Sequence, residues 1–247
     1  MQIKSWLKKC KEELLDLIYP KVCFGCNRRL LPSCEKYICT DCLQKIEKPA
    51  NPFCLSCGKT IDRENETRCA GCAGVRYSFA KGYTASIYEG VIKEGIHFLK
   101  YNSCTHLGGT LGSIMSDFAD ENIPMKDIDV IIPIPLHWKR KRDRGFNQAE
   151  MLAEVLSKKT GVRLETGVLF RVHPVHTQVT LSRQKRFNNI EGAFTVKNRE
   201  KVLGQHILLV DDVFTTGATF NECGKVLLNA GAKEVWVFSL TRGVLQK

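Results

Sequence analysis

Eight of the twelve cysteines stand in four Cys-x-x-Cys pairs, Cys23/Cys26, Cys39/Cys42, Cys54/Cys57 and Cys69/Cys72, separated by 12, 11 and 11 residues. A Cys-x-x-Cys turn aims two thiolates at one ion, and two such turns complete a tetrahedral sulfur shell. Sequential pairing gives one site from Cys23, Cys26, Cys39 and Cys42 and a second from Cys54, Cys57, Cys69 and Cys72; an interleaved cross-brace satisfies the spacing equally. Gly58 follows Cys57 directly, where a metal knuckle uses positive φ. An all-sulfur shell leaves no position open for water, so the two zinc sites expected here are structural. Few apolar residues lie between Pro20 and Gly74, so the metal is expected to supply much of that module's folding free energy. The competing readings are disulfides or a redox dithiol, and four evenly spaced pairs argue against both. Cys10, Cys34, Cys104 and Cys223 have no partner at ligand spacing.

The second chemical feature is acidic. An apolar strand, His206-Ile207-Leu208-Leu209-Val210, runs into Asp211-Asp212-Val213-Phe214-Thr215-Thr216-Gly217-Ala218-Thr219, and a helix is expected from Thr219 to Asn229. Ligands of open α/β sheets bind at the carboxyl ends of strands. Adjacent carboxylates there repel unless hydroxyls or a divalent cation engage them. The threonines and backbone N–H groups at a helix N-terminus form a phosphate cradle. Gly217 allows close backbone approach. An anion on one side and sugar hydroxyls on the other describe a ribose 5-phosphate. The plainer alternative, two aspartates capping a helix and two threonines filling a turn, suits a lone Asp-Asp pair better than this whole ordered string.

Several elements must position these groups. The chain has 247 residues, 43% hydrophobic and 26% charged, with a formal charge of +11. That is room for one α/β domain and a smaller module, and the charge favours phosphorylated ligands, nucleic acid or a membrane surface. Residues 1–19 read as an amphipathic helix (Trp6, Cys10, Leu14, Leu17 and Ile18 on one face), residues 20–76 as the cysteine module, and residues 77–247 as the α/β domain. Strands are expected at Lys81–Tyr88, Asp129–Pro133, weakly at Val168–Val172, at His206–Val210 and at Glu234–Leu240. Helices are expected at Val91–Tyr101, Leu107–Asp120 and Gln148–Lys159, with a polar loop from His173 to Asn189. Strand, helix and strand within Gln205 to Leu240 form a βαβ crossover, hence a parallel sheet. No apolar run reaches the ~18 residues of a membrane span. Residues 1–19 lack the apolar core of a signal peptide, so a cytoplasmic location with reduced thiols is expected.

The string from Ile207 to Thr219 resembles the phosphoribosyl pyrophosphate signature of type I phosphoribosyltransferases. The resemblance implies that Asp211 and Asp212 hold the ribose hydroxyls, and that Thr215, Thr216, Gly217, Ala218 and Thr219 wrap the 5′-phosphate. Pro133-Ile134-Pro135-Leu136, Arg140, Arg144-Gly145-Phe146-Asn147-Gln148, Leu99-Lys100-Tyr101, Thr177-Gln178, Leu181-Ser182-Arg183, Arg186, Asn188 and Gly192-Ala193-Phe194 resemble the ComF competence-protein family. The four cysteine pairs fit that family's double zinc ribbon. The fold implied is a type I phosphoribosyltransferase fold, a parallel sheet flanked by helices, behind an N-terminal zinc-ribbon module.

Lys139-Arg140-Lys141-Arg142-Asp143-Arg144 places five cations in six residues after the Asp129–Pro133 strand. By resemblance this is the pyrophosphate loop, with Pro133, Pro135, Lys139, Arg140 and Arg144 facing the leaving group and Mg²⁺ bridging it to the ribose. The family further implies natural transformation, with single-stranded DNA as a partner. Lys139, Arg140, Lys141, Arg142, Arg183 and Arg186, interleaved with Trp138, Phe146 and Phe187, suit a basic groove with stacking platforms. A DNA-uptake helicase is a further implied partner, and attachment at the inner face of the membrane would come through partners, without membrane insertion. The alternative is an active phosphoribosyltransferase acting on an acceptor that the sequence does not identify.

Overall fold

The computed structural model describes residues 20–31, 33–61, 66–101, 104–173 and 183–243, excluding the side chains of 183–186. The expected helix of residues 1–19 and the Thr177-Gln178 and Leu181-Ser182 segments lie outside these residues.

Two short helices, α1 (Thr40–Gln44) and α2 (Ala70–Ala73), belong to the cysteine-rich part, each starting beside a ligand-type cysteine. The α/β part then runs β1 (Lys81–Ile87), α3 (Gly90–Tyr101), α4 (Leu107–Asn122), β2 (Val130–Pro133), α5 (Trp138–Arg144), α6 (Gln148–Thr160), β3 (Arg163–Leu164), β4 (Leu169–Arg171), α7 (Arg183–Ile190), β5 (Phe194–Val196), β6 (His206–Phe214), α8 (Ala218–Asn229) and β7 (Glu234–Arg242). Five strands form one sheet in the order β1-β7-β6-β2-β3, parallel at every pairing, and β4 and β5 form a small antiparallel pair.

β2, β6 and β7 sit inside the sheet and read as nearly continuous apolar runs because both faces are covered. Ile131, Leu208, Val210, Trp236, Phe238 and Leu240 pack on one side with α3, α4 and α6. Val130, Ile132, Ile207, Leu209, Val235 and Val237 pack on the other with α8. Helices α4 and α6 approach closely because Gly108 and Gly112 face Met151 and Val155; a Cβ at either glycine would come within 2.6 Å of those side chains. Asn147 caps α6 by accepting from the Ala149 N–H, and Gly161 ends it in the left-handed conformation.

Three expectations are corrected. The basic run is a short helix, α5, and not a loop: lysine and arginine are good helix formers, the His137 side chain accepts from the Lys139 N–H, and left-handed Gly145 stops it. Strand β6 does not end at Val210. It carries Asp211 and Asp212 inside its ladder, because pairing with β7 continues through Asp211↔Ser239 to Phe214↔Arg242. The expected polar loop from His173 to Asn189 contains α7 at its C-terminal end.

The cysteine-rich segment wraps the edge of the sheet at β1. Gly82 N–H donates to the Leu55 carbonyl and Ile87 N–H to the Glu47 carbonyl, while the Thr84 hydroxyl donates to the Cys57 carbonyl. Cys23, Phe24, Leu30, Ile38 and Cys42 join the core on the α3/α4 side, and Cys54, Cys57, Ile61 and Cys72 join the core on the α8 side. The module thus borrows its core from the α/β part instead of building one of its own.

Candidate functional site

Strands β2 and β6 are neighbours whose crossover helices, α6 to β3 and α8 to β7, cover opposite faces, so the chain diverges where the two strands end. That divergence opens a crevice at their carboxyl ends. Pro133 closes β2 opposite Val210, and Ile134 N–H donates to the Val210 carbonyl. Pro135 follows, half-buried, on the β2 side. Asp211 and Asp212 stand on the β6 side.

The carboxyls differ in surroundings. Asp212 is buried and ion-paired to Lys100, the penultimate residue of α3. Burial pulls the Lys100 ammonium down, but Asp212 and then Asp211 outweigh it and hold Lys100 above its ordinary value. Asp211 is held well above the usual carboxylate range by burial and then by the charge of Asp212, against a hydrogen bond from the Asp212 N–H at 2.8 Å. A divalent cation or ribose hydroxyls would relieve that repulsion, and an oxygen donor set suits Mg²⁺.

Past β6 the chain turns through Thr215, Thr216 and Gly217 into α8. Gly217 has φ +80°, and a Cβ there would meet the Phe214 ring at 2.6 Å and the Tyr77 ring at 2.9 Å. Thr216 is buried and its hydroxyl accepts from the Ala218 N–H. The carbonyls of this turn are held from outside the crevice: the Tyr77 hydroxyl donates to Thr216 O at 3.0 Å and Arg242 to Thr215 O at 2.9 Å. The Ala218 N–H is engaged by the Thr216 hydroxyl, and the positive N-terminal end of α8, with Thr219 in its first turn, suits an anion.

Cations converge from several elements. Arg144 is half-buried, its guanidinium 5.8 Å from the Tyr101 ring centroid; burial lowers its pKa, opposed by the Asp212 carboxylate, and Arg140 lowers it further. Arg171, at the end of β4, is lowered by burial and by Arg140, with Cys223 and Asp211 opposing. Its Nε is buried without a hydrogen-bond partner among the described residues. Guanidiniums remain charged in such a setting, so their mutual repulsion beside two carboxylates marks a place where added anionic oxygens would be stabilised.

Of the sequence-assigned residues, the structure gathers Pro133, Pro135, Asp211, Asp212, Thr215, Thr216, Gly217, Ala218 and Thr219 about one crevice, with Arg140 and Arg144 electrostatically joined to it. Lys139, Lys141 and Arg142 are exposed on α5 and turn away: Lys141 pairs with Glu150 at 3.1 Å, and Lys139 and Arg142 lie over the exposed Trp138 ring at 5.6 and 5.3 Å. Trp138 is therefore a surface aromatic, whereas Phe146 and Phe187 pack against the two cores. The Arg183 and Arg186 side chains lie outside the described ones. Lys100, Arg171, Tyr77 and Arg242 were given no role from sequence, because their partners lie in other segments, Asp212 for Lys100, Thr216 for Tyr77 and Thr215 for Arg242, and nothing local marks them.

The cysteines assemble sequentially into Cys23, Cys26, Cys39, Cys42 and Cys54, Cys57, Cys69, Cys72, with the sulfurs of each set within 4.8 Å of one another. Cys26 to Cys39 and Cys57 to Cys69 are both 3.7 Å between sulfurs. A tetrahedron with Zn–S of about 2.3 Å has an edge of about 3.8 Å, so both sets fit zinc. Asn27 and Gly58, each after a second cysteine, take positive φ as knuckles require. No described helix is long and apolar enough to cross a membrane.

Residues 14–73 match the double zinc ribbon domain and residues 143–242 the phosphoribosyl transferase domain. Competence protein ComFC of Streptococcus pneumoniae R6 is 31% identical over 218 residues, covering 86% of this chain and 91% of that protein. The chain belongs to the ComF competence-protein family. A second ComF relative, Competence protein F of Haemophilus influenzae Rd, is 29% identical over 224 residues, covering 89% of this chain and 96% of that protein. Among solved structures, adenine phosphoribosyltransferase from Leishmania tarentolae is 11% identical, covering 61% of this chain and 77% of that one with a TM-score of 0.37. The ComF assignment gives this chain a parallel phosphoribosyltransferase-type sheet behind a double zinc ribbon.

Proposed function

We propose that this chain serves competence, the uptake and use of DNA, by binding phosphoribosyl pyrophosphate with Mg²⁺ between β2 and β6 and single-stranded DNA along the exposed face of α5. One observation carries the reading. An acidic pair, an anion-ready turn at the α8 N-terminus and the cations Lys100, Arg140, Arg144 and Arg171 meet at a single sheet crevice. Asp211 and Asp212 accept hydrogen bonds from the ribose hydroxyls, the 215–219 turn donates to the 5′-phosphate, and Arg140, Arg144 and Arg171 face the pyrophosphate. Mg²⁺, where bound, would neutralise charge between carboxylates and pyrophosphate. Trp138, 56% exposed and flanked by Lys139, Lys141 and Arg142, provides a stacking face with backbone contacts for a single strand.

A second reading, transfer of the phosphoribosyl group to an acceptor, is favoured by Tyr101. This ring is 69% exposed beside Lys100 and Arg144, at the open side of the crevice. In that reaction the anomeric C–O bond to pyrophosphate breaks as an acceptor atom bonds to the same carbon, and the guanidiniums stabilise the departing charge. The deciding experiment titrates wild type, Asp211→Ala and Asp212→Ala with phosphoribosyl pyrophosphate and Mg²⁺ and with a single-stranded oligonucleotide, and measures transformation in cells carrying each variant. Loss of ligand binding and of transformation with oligonucleotide affinity retained supports the proposal. Full transformation in both variants overturns it.

A further inference from the structure

The carbonyls behind the phosphate turn are held by two side chains, one in contact with the second cysteine tetrad and the other within its electrostatic reach. The Tyr77 hydroxyl that donates to Thr216 O lies 3.7 Å from the Cys72 sulfur. The Arg242 guanidinium that donates to Thr215 O also acts electrostatically on Cys57 and covers the Phe214 ring at 5.2 Å. A turn can aim its N–H groups inward only if its carbonyls point outward and find donors there. Here Tyr77 bridges the turn and a sulfur cluster, and Arg242 binds the turn within that cluster's field.

We propose that the second tetrad is part of the anion-binding device, with Tyr77 and Arg242 as positioning residues that keep the 215–219 turn in its binding shape while Cys54, Cys57, Cys69 and Cys72 hold their metal. Four thiolates on one divalent ion carry a net negative charge, which attracts the Arg242 guanidinium, while the ordered Cys69–Cys72 turn packs beside Tyr77, whose one hydroxyl proton goes to Thr216 O. Loss of the ion frees Cys69 and Cys72 and removes that attraction. The first tetrad differs: Cys23 and Cys42 pack on the α3 side, where Phe24 meets Gly95 and Gly25 meets Val91. Only one of the two metals is therefore coupled to the site.

For the identity of the anion this rests on the phosphoribosyl reading; the coupling itself does not. The full chain is compared with Tyr77→Phe, which keeps the ring stacked on Phe79 at 4.6 Å, and with Arg242→Gln. Amide hydrogen exchange of residues 215–221, affinity for phosphoribosyl pyrophosphate and zinc affinity by equilibrium competition with a chelator are measured. Expected are faster exchange at 215–221 in both variants, about tenfold weaker ligand binding for Tyr77→Phe, the worth of one hydrogen bond, and two zinc ions per chain retained. By reciprocity the ligand should tighten the equilibrium binding of one zinc ion and leave the other unchanged. Unchanged exchange at 215–221 in both variants overturns the coupling. Exchange that responds to Tyr77→Phe in a chain that takes up no phosphoribosyl pyrophosphate supports the coupling and overturns the ligand reading instead.

Discussion

Asp211 carries a proton-linked consequence of its burial. Its folded pKa is raised, first by burial and then by Asp212, so the apo protein is favoured when Asp211 is protonated. That contribution is complete below the ordinary carboxylate range and is lost as pH rises through the raised value. Engaging Mg²⁺ requires the ionised carboxylate, so binding of the ligand with its metal should release a proton. Affinity for Mg²⁺ with phosphoribosyl pyrophosphate is expected to fall as pH drops through the raised value, and Asp211→Asn to flatten that dependence; calorimetry in buffers of different ionisation enthalpy reads the proton directly. Gly217 is the most constrained position of the turn. Gly217→Ala forces a left-handed side chain into the Phe214 and Tyr77 rings and should cost about 1–3 kcal/mol in denaturant unfolding, with ligand binding lost. Thr215 to Thr219 were readable from sequence because a turn entering a helix is local chemistry. Tyr77 was not, since its partner Thr216 is 139 residues away and nothing beside a tyrosine announces which carbonyl it will meet.

At the scale of elements, the buried strands were legible because parallel strands covered on both faces carry continuous apolar runs, as Ile207 to Val210 and Val235 to Phe238 do. Helices α3, α4 and α6 were legible through periodic burial, with Ile92, Ile96 and Leu99 as the α3 example. Helix α5 was hidden because none of its residues is buried and no apolar stripe exists to read. Strand β4 was legible only weakly, at Val168 to Val172, and β5 was missed, each being three residues long. Helix α5 also separates two kinds of charge, with Arg140 and Arg144 half-buried toward the crevice and Lys139, Lys141 and Arg142 exposed. Replacing Lys139, Lys141 and Arg142 together by Ser should lower the slope of log affinity against log salt for single-stranded DNA by about 2, at roughly 0.7 per contact. Phosphoribosyl pyrophosphate affinity should hold within about twofold in the same variant, and titrations at several salt concentrations check both.

For the whole molecule, the ribbon segment is a clamp on the sheet edge. It contributes residues to the cores on both sides of the sheet and satisfies backbone groups of β1 that would otherwise be open to pairing with another chain. Stripping metal with a strong chelator is therefore expected to loosen the α/β part as well as the ribbons. Thermal unfolding should shift down by about 10 °C or more, and light scattering should report association through the bared strand. A ribbon that unfolds alone, with the sheet transition unmoved, would show the two parts to be independent.

The pairing of β1 with β7 sets a timetable for synthesis. Residues 81–87 leave the ribosome early, yet their ladder partner, residues 234–242, is translated after most of the remaining chain. Until then the nascent β1 has the ribbon on one side and nothing on the other. Early metal loading would shield half of that strand during the wait, so zinc supply at the time of translation, and not only afterwards, should govern how much of the newly made chain escapes aggregation.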